Sequence, residues 1–186
     1  MDSQEMQVML AVHGHMVTAT LRHRGRRLTD VLADPGSGFV ELYDAETFRG
    51  ARLVDQSDDI LIPKAQILFV APVSDRHEAG HRRSSFQTST RKRVFSTCLM
   101  LGDHELRGHI HLQASSCTRT TYESELGEFF PVADAAVTNI CGSDQSVRFQ
   151  AAIVRKSAVS MLHIGSEVVS EETEVVVGSL LDLFLD

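Results

Sequence analysis

Strict alternation of apolar and polar side chains is the feature that most constrains this chain. Val17, Ala19 and Leu21 alternate with Thr18, Thr20 and Arg22; Leu106, Gly108, Ile110 and Leu112 alternate with Arg107, His109 and His111. A period of two sends one set to a buried face and the other to water, the pattern of a half-buried strand rather than of an amphipathic helix. Each alternating run follows a two-residue turn, His13-Gly14 or Gly102-Asp103. Each turn is preceded by an apolar run, Val8-Met9-Leu10 or Phe95 to Leu101, so both read as hairpins. Ile60-Leu61-Ile62 and Ile67-Leu68-Phe69-Val70 read as strands broken at Pro63-Lys64, because proline has no N–H to give to a ladder. One short helix is expected where Leu28, Val31 and Leu32 share a face, and Asp34-Pro35-Gly36 stops it.

The two alternating regions belong to a longer repeat. FVELYDA (39–45) matches FFPVADA (129–135) at Phe39/Phe129, Asp44/Asp134 and Ala45/Ala135, with Leu42 facing Val132. HGHMVTATL (13–21) resembles GDHELRGHIHL (102–112). IPKAQILFV (62–70) resembles VRKSAVSMLHI (154–164), aligning Lys64 with Lys156, Ile67 with Val159 and Phe69 with Met161. The three blocks keep their order in both halves, as an internal duplication requires; two unrelated all-β segments are the alternative. Duplication places Phe39 and Phe129 at equivalent core sites, and likewise Leu21 and Leu112. Five or so strands in so short a stretch suggest a small closed or nearly closed barrel, since closure removes exposed edges. Such a barrel is filled by its own side chains, which disfavours a deep catalytic pocket.

Charge marks the boundaries. Residues 1–73 carry 7 basic and 10 acidic side chains, 74–93 carry 6 and 2, 94–165 carry 5 and 7, and 166–186 carry 0 and 6. The reading is therefore a first barrel over 1–73, a basic linker over 74–93, a second barrel over 94–165 and an acidic-apolar tail over 166–186. The linker holds one large apolar residue, Phe86, too little to fold by itself, so it is expected to be flexible. With no Trp, the cores must be built from Val, Ile, Leu, Met and Phe. Three cysteines, Cys98, Cys117 and Cys141, form no CxxC pair and point to a reducing, cytoplasmic setting. There is neither a basic stretch ahead of an apolar leader nor a run long enough to span a membrane.

Several of these motifs carry a resemblance. RGRRLTDVL (24–32), FVELYDA and IPKAQILFV, with LRGHIHL (106–112) in the second half, resemble an uncharacterised family of bacterial small-barrel domains. That family pairs an R-G-x-h-x-L strand with an R-L-S-D-x-L turn, an F-h-x-h-x-D-A strand and a closing K-x-x-I-h-x-V strand. The first half keeps RLTDVL, whereas the second has CTRTTY (117–122) there. The resemblance implies an SH3-like or Sm-like strand layout in two divergent copies. It implies no catalytic residues.

Candidate chemistry is sparse. His77-Glu78-Ala79-Gly80-His81 has the spacing of a zinc-peptidase H-E-x-x-H helix. Its flanks offer no apolar stripe and Gly80 weakens a helix, so a solvated linker fits the segment better. His109 and His111 share one strand face, outward if Ile110 and Leu112 face the core, where they read as surface polar residues before metal ligands. No nucleophile elbow, P-loop or dinucleotide fingerprint occurs. No cofactor or metal site is expected. Arg82-Arg83-Ser84-Ser85 has the form of a basophilic kinase site.

Two surfaces remain. Arg22, Arg24, Arg26 and Arg27, with Arg82, Arg83, Arg91, Lys92 and Arg93, could contact phosphates, though few aromatics stand near them for base stacking. In the tail, Val177, Leu180, Leu181 and Phe184 fall on one helical face and could bind a partner or cover a barrel of the same chain; a strand through residues 175–177 added to a barrel edge is the third reading. The expectation is a non-enzymatic protein-binding or scaffolding protein that binds another protein or its own subunits. A nucleic-acid-binding adaptor is the alternative, and an enzyme the third reading.

Overall fold

The computed structural model describes residues 4–73, 92–113, 119–140 and 143–168, with backbone alone for Arg119 and 143–145. The chain is mainly β. Strands β1 (Glu5–Val12), β2 (His15–Arg22), β3 (Phe39–Arg49), β4 (Arg52–Pro63) and β5 (Ile67–Pro72) come from the first half. Strands β6 (Arg93–Leu101), β7 (His104–Leu112), β8 (Phe129–Asn139), β9 (Ser143–Arg155) and β10 (Met161–Glu167) come from the second. Helix α1 (Leu28–Leu32) bridges β2 and β3, and α2 (Arg119–Glu125) bridges β7 and β8. Three-residue 3-10 turns, Lys64–Gln66 and Lys156–Ala158, lead into β5 and β10.

The halves are built alike. The first runs β5-β1-β2-β3-β4 and the second β10-β6-β7-β8-β9 in one antiparallel sheet. Lys64 N–H donates to the Gly38 carbonyl at 2.9 Å, and Lys156 N–H to that of Glu128 at 2.7 Å. In β3, Asp44 and Ala45 together face Ala19; in β8, Asp134 and Ala135 face Gly108. The extra residue makes a bulge, and Asp44 and Asp134 take φ of 50° and 49° there. Aspartate tolerates this left-handed region better than most residues, which accounts for the repeated Asp-Ala.

Two details of the expected equivalence shift. Leu21 lies opposite Met6, and Ile110 opposite Phe95, at matching distances from their hairpin turns. The counterpart of Leu21 is therefore Ile110, two residues before Leu112, which is also buried. Phe39 and Phe129 do open equivalent strands, but Phe39 is 52% exposed. The alternation sends Val40 and Leu42 inward in β3, and Phe130 and Val132 in β8. Only the strand phase, not the presence of an aromatic ring, selects the core face.

The expected pair of closed or nearly closed barrels is not confirmed: the ten strands form a single sheet that does not close. Within the first half the sheet must curl. β4 and β5 are four positions apart in strand order, about 19 Å if flat, yet the chain from Pro63 to Ile67 reaches at most about 14 Å. Curling wraps β1 to β5 and α1 around one core containing Leu10, Leu32 and Leu42. The second core gathers Leu106, Ile110 and Phe130. Closure of the first unit would need β5 to pair with β4. Instead β5 pairs with β1 on one side and with β9 on the other, through Phe69 opposite Val154 and Val70 opposite Ile153. Ile67 and Val70 enter the first core; Leu68, Phe69 and Ala71 enter the second. A strand covered on both faces reads as an unbroken apolar run, as Ile67 to Ala71 does.

Helix α2 was not expected from the second half. Leu126 just beyond it is buried, and the Tyr122 ring meets Phe130 edge-on at 6.3 Å. Among the described residues no helix is long and apolar enough to cross a membrane.

Candidate functional site

The arginine cluster of the first half folds into a cleft beside α1. β2 ends at Arg22, and the turn that follows reverses through Arg24 and Gly25, at φ of 48° and 77°. This turn faces the outward side of β3, enclosing an open cleft of about 550 Å³ lined by Arg22, Arg24, Arg26, Asp34, Tyr43 and Lys64, among others.

Most of its cations are already engaged. Arg22 donates to Glu5 at 3.0 Å and lies over the Tyr43 ring at 3.8 Å. The Glu5 hydrogen bond and charge hold the Arg22 pKa above its usual value. Arg26 donates to Asp34 at 2.7 Å and to the Asp30 carbonyl at 2.8 Å. Asp34 also accepts from Gly36 N–H at 2.8 Å. The Arg26 hydrogen bond, then that of Gly36, hold its carboxyl below the usual range. Lys64 donates to the Asp34 carbonyl at 2.7 Å, and burial pushes its pKa down. Its counterpart Lys156 donates to the carbonyls of Glu123 and Leu126 at 2.8 and 3.0 Å. Both lysines thus bind carbonyls at or just past the end of a short helix, a structural task.

The other proposed phosphate contacts are scattered. Arg27 precedes α1, and Arg24 has no ion-pair partner among the described residues. Lys92 is exposed just before β6; Arg93 opens β6 and pairs with Glu167 at 3.0 Å. Arg82, Arg83 and Arg91 lie outside the described residues, as do the His77–His81 motif and Val177, Leu180, Leu181 and Phe184 of the tail. The structure therefore brings together Arg22, Arg24 and Arg26, and separates them from Arg93.

The histidines serve the strands. His109, half-buried, and His111, exposed, alternate with buried Ile110 and Leu112, and His109 Nδ1 lies 3.5 Å from Asp134. His104 is buried, meets the Phe69 ring edge-on at 5.7 Å, and neither ring nitrogen completes a hydrogen bond. Burial pushes its pKa below 6.5, with Leu101 and Asp103 acting weakly the other way. Among the described residues no group of three or more His, Cys, Asp or Glu side chains gathers to hold a metal. Cys98 is a free thiol whose pKa is raised, chiefly by burial, which makes it a poor nucleophile.

The least expected surface is apolar. At the free end of the sheet Phe39 on β3 and Leu61 on β4 are 52% and 66% exposed. At the opposite end Met161 on β10 is 53% exposed. Sequence reasoning placed Phe39 in a core and Leu61 in an ordinary strand. The signal for the difference is the polar company of Leu61 on β4, which carries Asp55, Asp58 and Asp59. Comparison of the chain with protein families, curated proteins and solved structures finds no match.

Proposed function

We propose that this chain is a non-enzymatic protein-binding module of the cytoplasm that works in assembly or scaffolding. Each five-strand unit is read as one small-barrel module of SH3-like or Sm-like strand order, joined edge to edge with the next. The observation that carries the reading is the pair of sheet ends bearing exposed Phe39, Leu61 and Met161. β4 and β10 have no strand on their outer side among the described residues, and large apolar side chains on such an edge are suited to receiving a strand of another protein.

The charged cleft supports this reading over the nucleic-acid adaptor. Arg22, Arg26 and Arg93 each face a carboxylate at 3.0 Å or less, so a phosphate would have to displace an ion pair to reach them. Capture of partners from native lysate, with and without nuclease, separates the two. Protein capture that survives nuclease and falls little with salt is expected. Capture lost to nuclease and falling steeply with salt reports counterion release from phosphates and refutes the assignment.

A further inference from the structure

The joint between the two units is one-sided. The second unit offers β9, its strand before the 3-10 turn; the first offers β5, its strand after the turn. Such a heterologous contact uses different surfaces on its two partners, so among the described residues it leaves one of each unused. The unused pair is β4, the equivalent of β9, and β10, the equivalent of β5. These are the two terminal strands of the sheet.

The side chains repeat the same logic. Phe69 lies opposite Ala11, and Met161 opposite Met100, at corresponding places. Phe69 is 0% exposed in the joint, whereas Met161 is 53% exposed. Ile153 lies opposite Pro131 and Leu61 opposite Glu41, again at corresponding places. Ile153 is 6% exposed; Leu61 is 66% exposed. Phe129 packs against the first core, while its equivalent Phe39 faces water. Met161 and Leu61 on the terminal strands, with Phe39 on the strand next to β4, thus stand where the internal joint buries Phe69 and Ile153 and packs Phe129.

We infer that β10 of one copy pairs antiparallel with β4 of a second copy, repeating between chains the joint that β5 and β9 make within one. This rests on reading the chain as an assembly module and names its partner. The register follows from the internal joint: Met161 faces Ile62 and Leu162 faces Leu61. Each chain carries one edge of each kind, so the contact propagates into a ring where the rotation closes and into a filament where it does not. The chain's own C-terminal segment is a poorer occupant for β4. Residues 169–186 hold five acids and no base, and β4 already carries three aspartates.

Leu61→Lys and Met161→Lys test the joint in the full-length chain. Both side chains are exposed, so each variant keeps the circular dichroism and melting temperature of a folded monomer. Light scattering after gel filtration is expected to show wild-type chain as a multiple of 20.5 kDa and each variant as a single chain. An equal mixture recombines into a two-chain species and nothing larger, because each variant retains the edge that the other has lost. A monomeric wild type overturns the inference, whether the edges close on each other within one chain or are covered by residues 169–186. Deleting those residues and regaining association identifies the second case. Oligomers indifferent to both substitutions, or a mixture that stays monomeric, overturn it too. A monomer that still captures protein after nuclease leaves the assembly role standing and removes self-association alone.

Discussion

Gly108→Ala probes how tightly the second unit is held at its bulge. A Cβ on Gly108 would lie 2.6 Å from the Ala133 carbonyl oxygen and 2.7 Å from Val132 Cγ1. The valine methyl can rotate away, but the carbonyl belongs to the strand that Asp134 bends, so backbone must move. Overpacking of this kind costs about 1–3 kcal/mol. Alanine also restricts the unfolded chain, which returns about 0.4–1 kcal/mol. The overlap wins by about 1–2 kcal/mol, since no rotamer relieves it. For a chain of this size that lowers the melting temperature by about 2–8 °C. The first unit supplies the control. Ala19 occupies the same place opposite Asp44 and Ala45, so the first bulge already accommodates a methyl. Ala19→Gly is therefore expected to destabilise as well, by about 1 kcal/mol from lost burial and added chain entropy. Thermal and urea unfolding of both variants settle the matter. A Gly108→Ala protein as stable as wild type would falsify the close approach.

Three further outcomes follow from the same geometry. Asp134→Gly should leave stability unchanged or raise it slightly, while Asp134→Val should cost about 1–2 kcal/mol at a φ of 49°; equal melting of the two variants contradicts the bulge assignment. Lys156→Met removes donors from the Glu123 and Leu126 carbonyls and should cost about 1–3 kcal/mol, with hydrogen exchange rising first in α2; unchanged exchange there shows that the lysine does not hold the helix. His104 is kept neutral in the folded chain by burial, whereas the unfolded chain protonates it near pH 6.5. Its contribution is present above that pH and is lost as pH falls through the lower folded value, by up to about 1.4 kcal/mol per pH unit. His104→Leu should flatten that part of the urea-midpoint profile, and a profile unchanged in slope excludes His104 as the group responsible.

Local structure was legible in the sequence because its causes are local. Alternation of Val17 to Arg22 and of Leu106 to Leu112 fixed strands, and the turns at His13-Gly14 and Gly102-Asp103 fixed hairpins. Asp34-Pro35-Gly36 ended α1 where expected; the repeated Asp-Ala was legible only as a sign of duplication, and strand pairing shows that it falls at both bulges. Alignment of Lys64 with Lys156 found two residues with one structural task, although sequence alone could not name the helix-end carbonyls they serve.

Other features depended on strand phase and on partners distant in sequence. Aromatic identity suggested Phe39 for the core, but the neighbouring register chose Val40. Four arginines suggested a phosphate surface, yet Glu5 and Asp34 neutralise two of them across gaps of 17 and 8 positions. Closure of the barrels was decided furthest from the sequence. A strand offers the same backbone donors and acceptors to any neighbour, so nothing in residues 67–72 says whether β4 or β9 will take the second edge. The only trace is composition: β5 is apolar without a break because both its faces are covered, whereas β10, the same strand at the open end, places His163, Gly165 and Ser166 among its apolar residues. The sequence determined which segments are strands; the packing of two cores against one shared strand determined where the sheet remains open.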